Sequence, residues 1–155
     1  MTKTELIFKE KEIREKGKKD GINHFSSGIA VMKEDRILII KRSIDDFLGG
    51  NYELPGGGIE DGETFFDGVT RELKEETGLN LKCISLLFEG FDYNTETKNR
   101  VRQVNFLVTT DTYEITLSHE HESFLWVGID GINNLTMTEE MRKCIREAIH
   151  IAMNN

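Results

Sequence analysis

The chain has 155 residues, about one domain's length, and its 37% hydrophobic side chains with 14 glycines match an ordinary globular composition and argue against global disorder. Twenty Lys and Arg against 28 Asp and Glu leave a formal charge of −8, so duplex nucleic acid would meet net repulsion and is disfavoured as a partner. The longest apolar runs, at 37–40 and 84–88, fall far short of the roughly 20 residues a membrane span needs, and the two cysteines, Cys83 and Cys144, have no CxxC spacing, which argues against a disulfide framework or a four-thiolate zinc site.

Residues 1–20 alternate Lys and Arg with Asp and Glu and lack the apolar core of a secretory signal, so the chain is expected to begin near Met1 and to work in the reducing cytoplasm. Leu6, Ile7, Phe8 and Ile13 show no sustained period, which leaves this opening ambiguous between a strand and a short helix. From 24 to 32, Phe25, Gly28, Ile29, Ala30 and Val31 predict a buried strand, Lys33-Glu34-Asp35 a turn, and 36–41 its antiparallel partner. Gly49-Gly50 and Gly56-Gly57-Gly58 bracket the only proline, Pro55, in a segment that cannot continue a helix. Thr64 and Asp67 then resemble a capping box, and Phe66, Val69 and Leu73 recur at helical spacing up to Gly78, a natural C-cap. Residues 81–91 and 101–109 read as a long hairpin, followed by short strands around 113–117 and 124–129. A last helix from about 138 to 153 carries the stripe Met141, Cys144, Ile145, Ala148, Ile149 and Ala152. The expectation is one domain over 1–155, an α/β chain with a mixed sheet covered by at least two helices.

The stretch 57–79 holds seven acidic and two basic residues, so five of the eight net negative charges lie there. On a helix, Glu72, Glu75 and Glu76 stand at i, i+3 and i+4 and are forced onto one face. Like charges at that spacing cost only a few tenths of a kcal/mol, so a solvated helix face accounts for them taken alone. It does not account for a glycine loop that delivers a further carboxylate, Glu63, to the start of the same helix. Oxygen-rich clusters of this kind suit hard divalent cations such as Mg²⁺, which hold phosphate oxygens.

Gly57, Glu63, Arg71-Glu72-Leu73, Glu75-Glu76 and Gly78-Leu79 fill every fixed position of a 23-residue pattern, and the stretch resembles a complete Nudix box. The strand 38–42, the approach Tyr52-Glu53-Leu54-Pro55-Gly56 and the stretch 121–127 are also similar to what Nudix proteins place around the box, so the resemblance covers roughly residues 24 to 150. It implies the Nudix α/β/α sandwich with a mixed central β-sheet. The implied reaction is hydrolysis of a nucleoside diphosphate linked to a further group, by water attack on phosphorus with Mg²⁺, or Mn²⁺ as a substitute. This agrees with the chemistry: a phosphoryl centre carrying several negative charges repels its nucleophile until a cation neutralises it.

Carried over by position, the resemblance makes Glu72, Glu75 and Glu76 metal ligands, with the Gly57 carbonyl as a further oxygen donor. Arg71 would orient these carboxylates; Glu63 would buttress loop to helix, reach metal through water or contact substrate. The general base would be a box glutamate or Glu120. Arg42, ending its strand, would hold a substrate phosphate through its fork of donors. His119 and His121 lack a third ligand and fall short of a zinc site.

The ADP-ribose class of the family carries a proline some fifteen residues beyond the box, and the diadenosine class a tyrosine about seventeen beyond; here Pro55 lies upstream and Glu96 occupies the second offset. That leaves a nucleoside triphosphate, oxidised or modified forms included, as the leading substrate, with nucleotide sugars and capped RNA 5′ ends behind it. A non-catalytic nucleotide-sensing module is the alternative, although all three box carboxylates remain. Relatives that pair suggest a homodimer, with the N-terminal stretch reaching across the contact.

Overall fold

Ile37, Leu38, Ile39 and Ile40 are all wholly buried, a continuous apolar run that only a strand covered on both faces produces. Leu38 and Ile40 enter one core cluster with Phe65, Val69 and Leu73, while Ile37 and Ile39 enter a second with Ile145, Ala148 and Ile149. Alternate side chains of one strand thus meet different helices, which makes the molecule an α/β/α sandwich.

The computed structural model describes residues 1–154. In chain order the elements are α1 (Lys3–Lys19), β1 (His24–Lys33), β2 (Arg36–Arg42), β3 (Tyr52–Glu53), α2 (Phe65–Thr77), β4 (Leu81–Asn94), β5 (Arg100–Thr110), β6 (His121–Val127), a 3-10 turn at Ile129–Asn134, and α3 (Glu139–Met153). The six-stranded sheet runs β3-β2-β1-β5-β4, with β6 on β2. It is mixed: β1 runs parallel to β5 from His24↔Val101 to Val31↔Val108, and the other pairs are antiparallel. Among the described residues, no helix is long and apolar enough to cross a membrane.

The expected hairpin of β1 and β2 closes over only two residue pairs, Met32↔Ile37 and Lys33↔Arg36. Beyond them the two strands diverge, and the glycine segment occupies the freed edge of β1. Ile29 N–H donates to the Pro55 carbonyl at 2.7 Å, Ser27 N–H to the Gly57 carbonyl at 2.8 Å, and Ile59 N–H to the Phe25 carbonyl at 2.9 Å. Gly56 has φ +148°, and a Cβ there would lie 2.0 Å from the Ser27 carbonyl oxygen, so only glycine passes this close to the strand.

Two expectations from the sequence need correction. The ambiguous opening is a five-turn helix, α1, capped by a reciprocal Thr2–Glu5 capping box. Its inward stripe is Leu6, Glu10, Ile13, Arg14 and Gly17, helically spaced but mostly not apolar, which is why hydrophobic periodicity did not reveal it. The segment 113–117 is not a strand. Its backbone instead follows the end of α2, with Thr116 N–H donating to the Thr77 carbonyl at 2.8 Å and Ser118 N–H to the Glu76 carbonyl at 3.3 Å, so sheet partners are not needed.

Candidate active site

The box helix starts and stops as its sequence dictates. Thr64 Oγ1 accepts the Asp67 N–H, and Gly78 closes the helix in the left-handed conformation at φ +75°. Gly68 lies inside it because a Cβ would fall 2.5 Å from Ile59 Cδ1, so the glycine loop packs directly under the helix. Gly57 does the same for the helix's carboxylates: a Cβ there would stand 2.7 Å from the Glu72 carboxyl group.

Arg71 is the hub of the exposed side. Its Nε and NH2 donate to the two oxygens of Glu63, each at 2.8 Å, and NH2 also donates to the Gly58 carbonyl at 2.9 Å. NH1 donates to Glu72 Oε1 at 2.9 Å and reaches Glu75 Oε2 at 3.4 Å. The Arg71 hydrogen bonds hold the Glu63 carboxyl at about 2, well below the usual range. Glu72 moves the other way: burial raises it, and Glu76 and Glu75 add repulsion against the pull of Arg71.

Glu76 faces the interior. Its Oε1 accepts the Gly56 N–H at 3.2 Å, and Oε2 stands 3.0 Å from His121 Nδ1, within ion-pair reach but outside hydrogen-bond alignment. His121, whose side chain is wholly buried, also bonds Glu53 Oε2 through Nε2 at 3.0 Å. Burial alone would lower its pKa, yet the hydrogen bond to Glu53 and the charges of Glu76 and Glu53 prevail and raise it to about 9, so the ring carries its proton near neutral pH. A β-bulge aims it. Lys41 pairs with Ser123 and Arg42 with His121, and the skipped Glu122 turns His121 to the α2 face of the sheet.

In the sequence His121 stands out only as half of a histidine pair and as the first residue of the stretch 121–127. Glu53, Glu76 and His121 lie within 4.8 Å of one another, whereas His119 is exposed. No local spacing could have revealed this cluster, because its members come from β3, α2 and β6.

The other named residues divide. Glu72, Glu75 and Glu76 share one helix face beside the glycine loop, although Glu75 is 59% exposed and held only by Arg71. Both oxygens of Glu63 are engaged by Arg71, and Oε1 also accepts the Glu60 N–H, which favours buttressing over substrate contact. The Gly57 carbonyl accepts both the Ser27 N–H and, at 3.1 Å, the Ser27 hydroxyl, so acting as a metal donor would require releasing one of them. Arg42 spends its fork on Glu53, Asp46 and the Phe47 carbonyl. Glu120 is exposed on the turn before β6, where its carbonyl accepts the Ser43 N–H and its charge acts on Arg42. An open cleft of about 560 Å³ borders Glu72, lined also by His24, Phe25, Ser26, Glu60 and Tyr93.

The sequence and the fold have counterparts in known proteins. The NUDIX domain model matches residues 23–148. An ADP-ribose pyrophosphatase of Methanocaldococcus jannaschii is 31% identical over 71% of this chain and 64% of its own length. An 8-oxo-dGTP diphosphatase of Proteus vulgaris is 36% identical over 41% of this chain and 57% of its own. The matches thus span less than two thirds of either relative. Among solved structures, the MutT protein of Methanosarcina mazei Go1 superposes with a TM-score of 0.70 at 22% identity, covering 85% of this chain and 96% of that one. With the family model matched over most of its length and the complete box folded onto one loop and helix, the chain belongs to the Nudix hydrolase family.

Proposed function

We propose that this chain hydrolyses a phosphoric anhydride in a nucleoside diphosphate derivative, with a nucleoside triphosphate, oxidised or modified forms included, as its substrate. The observation that carries the reading is the convergence of Glu72, Glu75 and Glu76 beside the glycine loop, where burial first, and the like charges of Glu76 and Glu75 after it, hold Glu72 at an electrostatic cost. A hard divalent cation relieves that cost, and three carboxylates are the donor set that Mg²⁺ or Mn²⁺ takes. Glu72, Glu75 and Glu76 would hold it. When bound, such an ion would neutralise charge on the diphosphate and ease loss of the proton from the water that attacks phosphorus.

The chain's own residues set up the rest. Arg71 keeps Glu72 and Glu75 from splaying, Glu63 locks Arg71 to the loop, and His121 with the Gly56 N–H fixes Glu76. The cleft beside Glu72 offers the exposed Tyr93 to the rest of the substrate. Glu120, exposed on its turn, is assigned as the proton acceptor for the attacking water.

The triphosphate reading is supported by the Proteus relative, named for 8-oxo-dGTP, and by the missing proline marker of the ADP-ribose class. A nucleotide sugar is the second reading, favoured by the archaeal relative, named for ADP-ribose. The test is release of phosphate or pyrophosphate with and without Mg²⁺ from a panel of nucleoside triphosphates, 8-oxo-dGTP, ADP-ribose and 5′-triphosphorylated RNA. Turnover that requires the ion and vanishes in Glu76→Gln is the expected result. Thermal stabilisation by a nucleotide with no product would identify a sensing module instead.

A further inference from the structure

The helix that precedes the family's matched residues grips the junction between the box loop and the box helix. α1 ends at Lys19 and the family match begins at residue 23, so this contact belongs to the chain's own N-terminal element. Glu10, with a side chain 14% exposed, places Oε1 on the Phe65 N–H at 2.7 Å, the first amide of α2, and takes a bond from Arg14 Nε on Oε2 at 2.9 Å. Arg14 in turn donates through NH2 to the Glu63 carbonyl at 3.0 Å and lies 4.8 Å from the centre of the Phe65 ring. Its guanidinium carbon also lies 5.5 Å from the centre of the Phe25 ring. Gly17 lets the helix come this close, because a Cβ there would stand 2.6 Å from Phe25 Cζ.

Both residues act on backbone atoms that carry the site. The Glu63 carbonyl held by Arg14 belongs to the residue whose side chain grips Arg71, and Arg71 holds Glu72 and Glu75. A carboxylate at the N-terminal amides of α2 also suits the helix dipole. The bonds therefore run without a gap from α1 to the carboxylates of the box.

We propose that Glu10 and Arg14 are positioning residues, which fix the loop–helix junction and thereby tune the affinity of the box carboxylates for a divalent cation. This rests on the metal-dependent reading above. A helix that only added buried surface would stabilise the fold without changing the affinity of a site it does not touch. Outer partners that orient metal ligands do change it.

The experiment measures Mn²⁺ binding to the full chain by calorimetry, together with hydrogen exchange of the Phe65 amide in metal-free protein. Glu10→Ala and Arg14→Ala are expected to weaken Mn²⁺ binding by about tenfold and to speed Phe65 exchange, while Glu10→Gln, which retains an acceptor for that amide, recovers most of both. Ile145→Val, in the core under α3, serves as the control: it lowers the melting temperature without moving the Mn²⁺ midpoint. Wild type that binds Mn²⁺ with the same affinity as the Glu10 and Arg14 variants overturns this proposal alone, as does an equal shift in Ile145→Val. Wild type that binds no Mn²⁺ overturns the functional reading and this proposal with it. If Glu10→Ala does not fold, the comparison of Glu10→Gln with Arg14→Ala decides.

Discussion

Arg71 and His121 each gather carboxylates around the box helix, one on its solvent side and one inside the fold. Arg71 touches Glu63, Glu72 and Glu75 with a side chain 25% exposed, whereas His121 stands between Glu53 and Glu76 with none of its side chain exposed. The same kind of pairing has different physical weight in the two places. At the surface, water and salt screen the attraction and an unpaired partner is simply hydrated. Inside, a carboxylate that loses its counter-charge must stay buried and charged or take a proton. The outer hub therefore holds the exposed Glu75 at little energetic consequence and Glu72, which burial already strains, at more, while the buried hub holds its residues under a heavy penalty for disruption.

Removing each centre tests that contrast, and the largest effect belongs to His121. His121→Ala leaves Glu53 and Glu76 without their shared cation and should cost about 3 kcal/mol, lowering the melting temperature by roughly 6–12 °C for a chain of this size. A fall of only a degree or two in a thermal melt would show that the buried hub behaves like a surface pair.

The second test uses pH, because the hubs should fail at opposite ends of the scale. His121 is raised from 6.5 to about 9, so the folded state holds its proton more tightly than the unfolded chain. Its stabilisation is fully present below the unfolded value and is lost as pH rises through 9. Glu63 is lowered from 4.5 to about 2, so its stabilisation is present above the unfolded value and lost as pH falls through 2. Urea midpoints of metal-free protein across pH should decline on both limbs, with His121→Asn flattening the alkaline limb and Glu63→Gln the acid one. A mutant that flattens the wrong limb contradicts the assignment.

The smallest effect is in salt. A double-mutant cycle on Arg71 and Glu63 should give a coupling of no more than about 1 kcal/mol that shrinks between 0.1 and 1 M NaCl. The cycle on His121 and Glu53 should be larger and nearly independent of salt. Equal salt dependence would mean that water reaches both hubs alike.

The exposed hub was legible in the sequence and the buried one was not, for a physical reason. Arg71, Glu72, Glu75 and Glu63 lie on one helix and the loop that feeds it, so helical geometry and chain proximity bring them together. Glu53 and His121 are 68 positions apart and meet only because β3 and β6 flank β2. Strand alternation and helix caps gave β1, β2, α2, the β4–β5 hairpin and α3 with ends close to those observed. α1 escaped because Glu10, Arg14 and Gly17 occupy its packing stripe, where periodicity looks for leucine. The stretch 113–117 misled because Ile115 and Leu117 do pack on the core, as an alternating strand would, while their backbone bonds to the end of a helix.

The single skipped residue in β6 leaves the aim of His121 to backbone register more than to the side chain that is skipped. Glu122 contributes an exposed side chain and a surface pair with Lys41, so most replacements there would pass unnoticed. Straightening the bulge so that Glu122 pairs with Arg42 would swing the imidazole toward α3, away from Glu76, whereas deleting Glu122 would set His121 directly before Ser123 and keep it opposite Arg42. Homologous chains that lack this one position would be expected to keep the histidine, with an unbroken strand in place of the bulge.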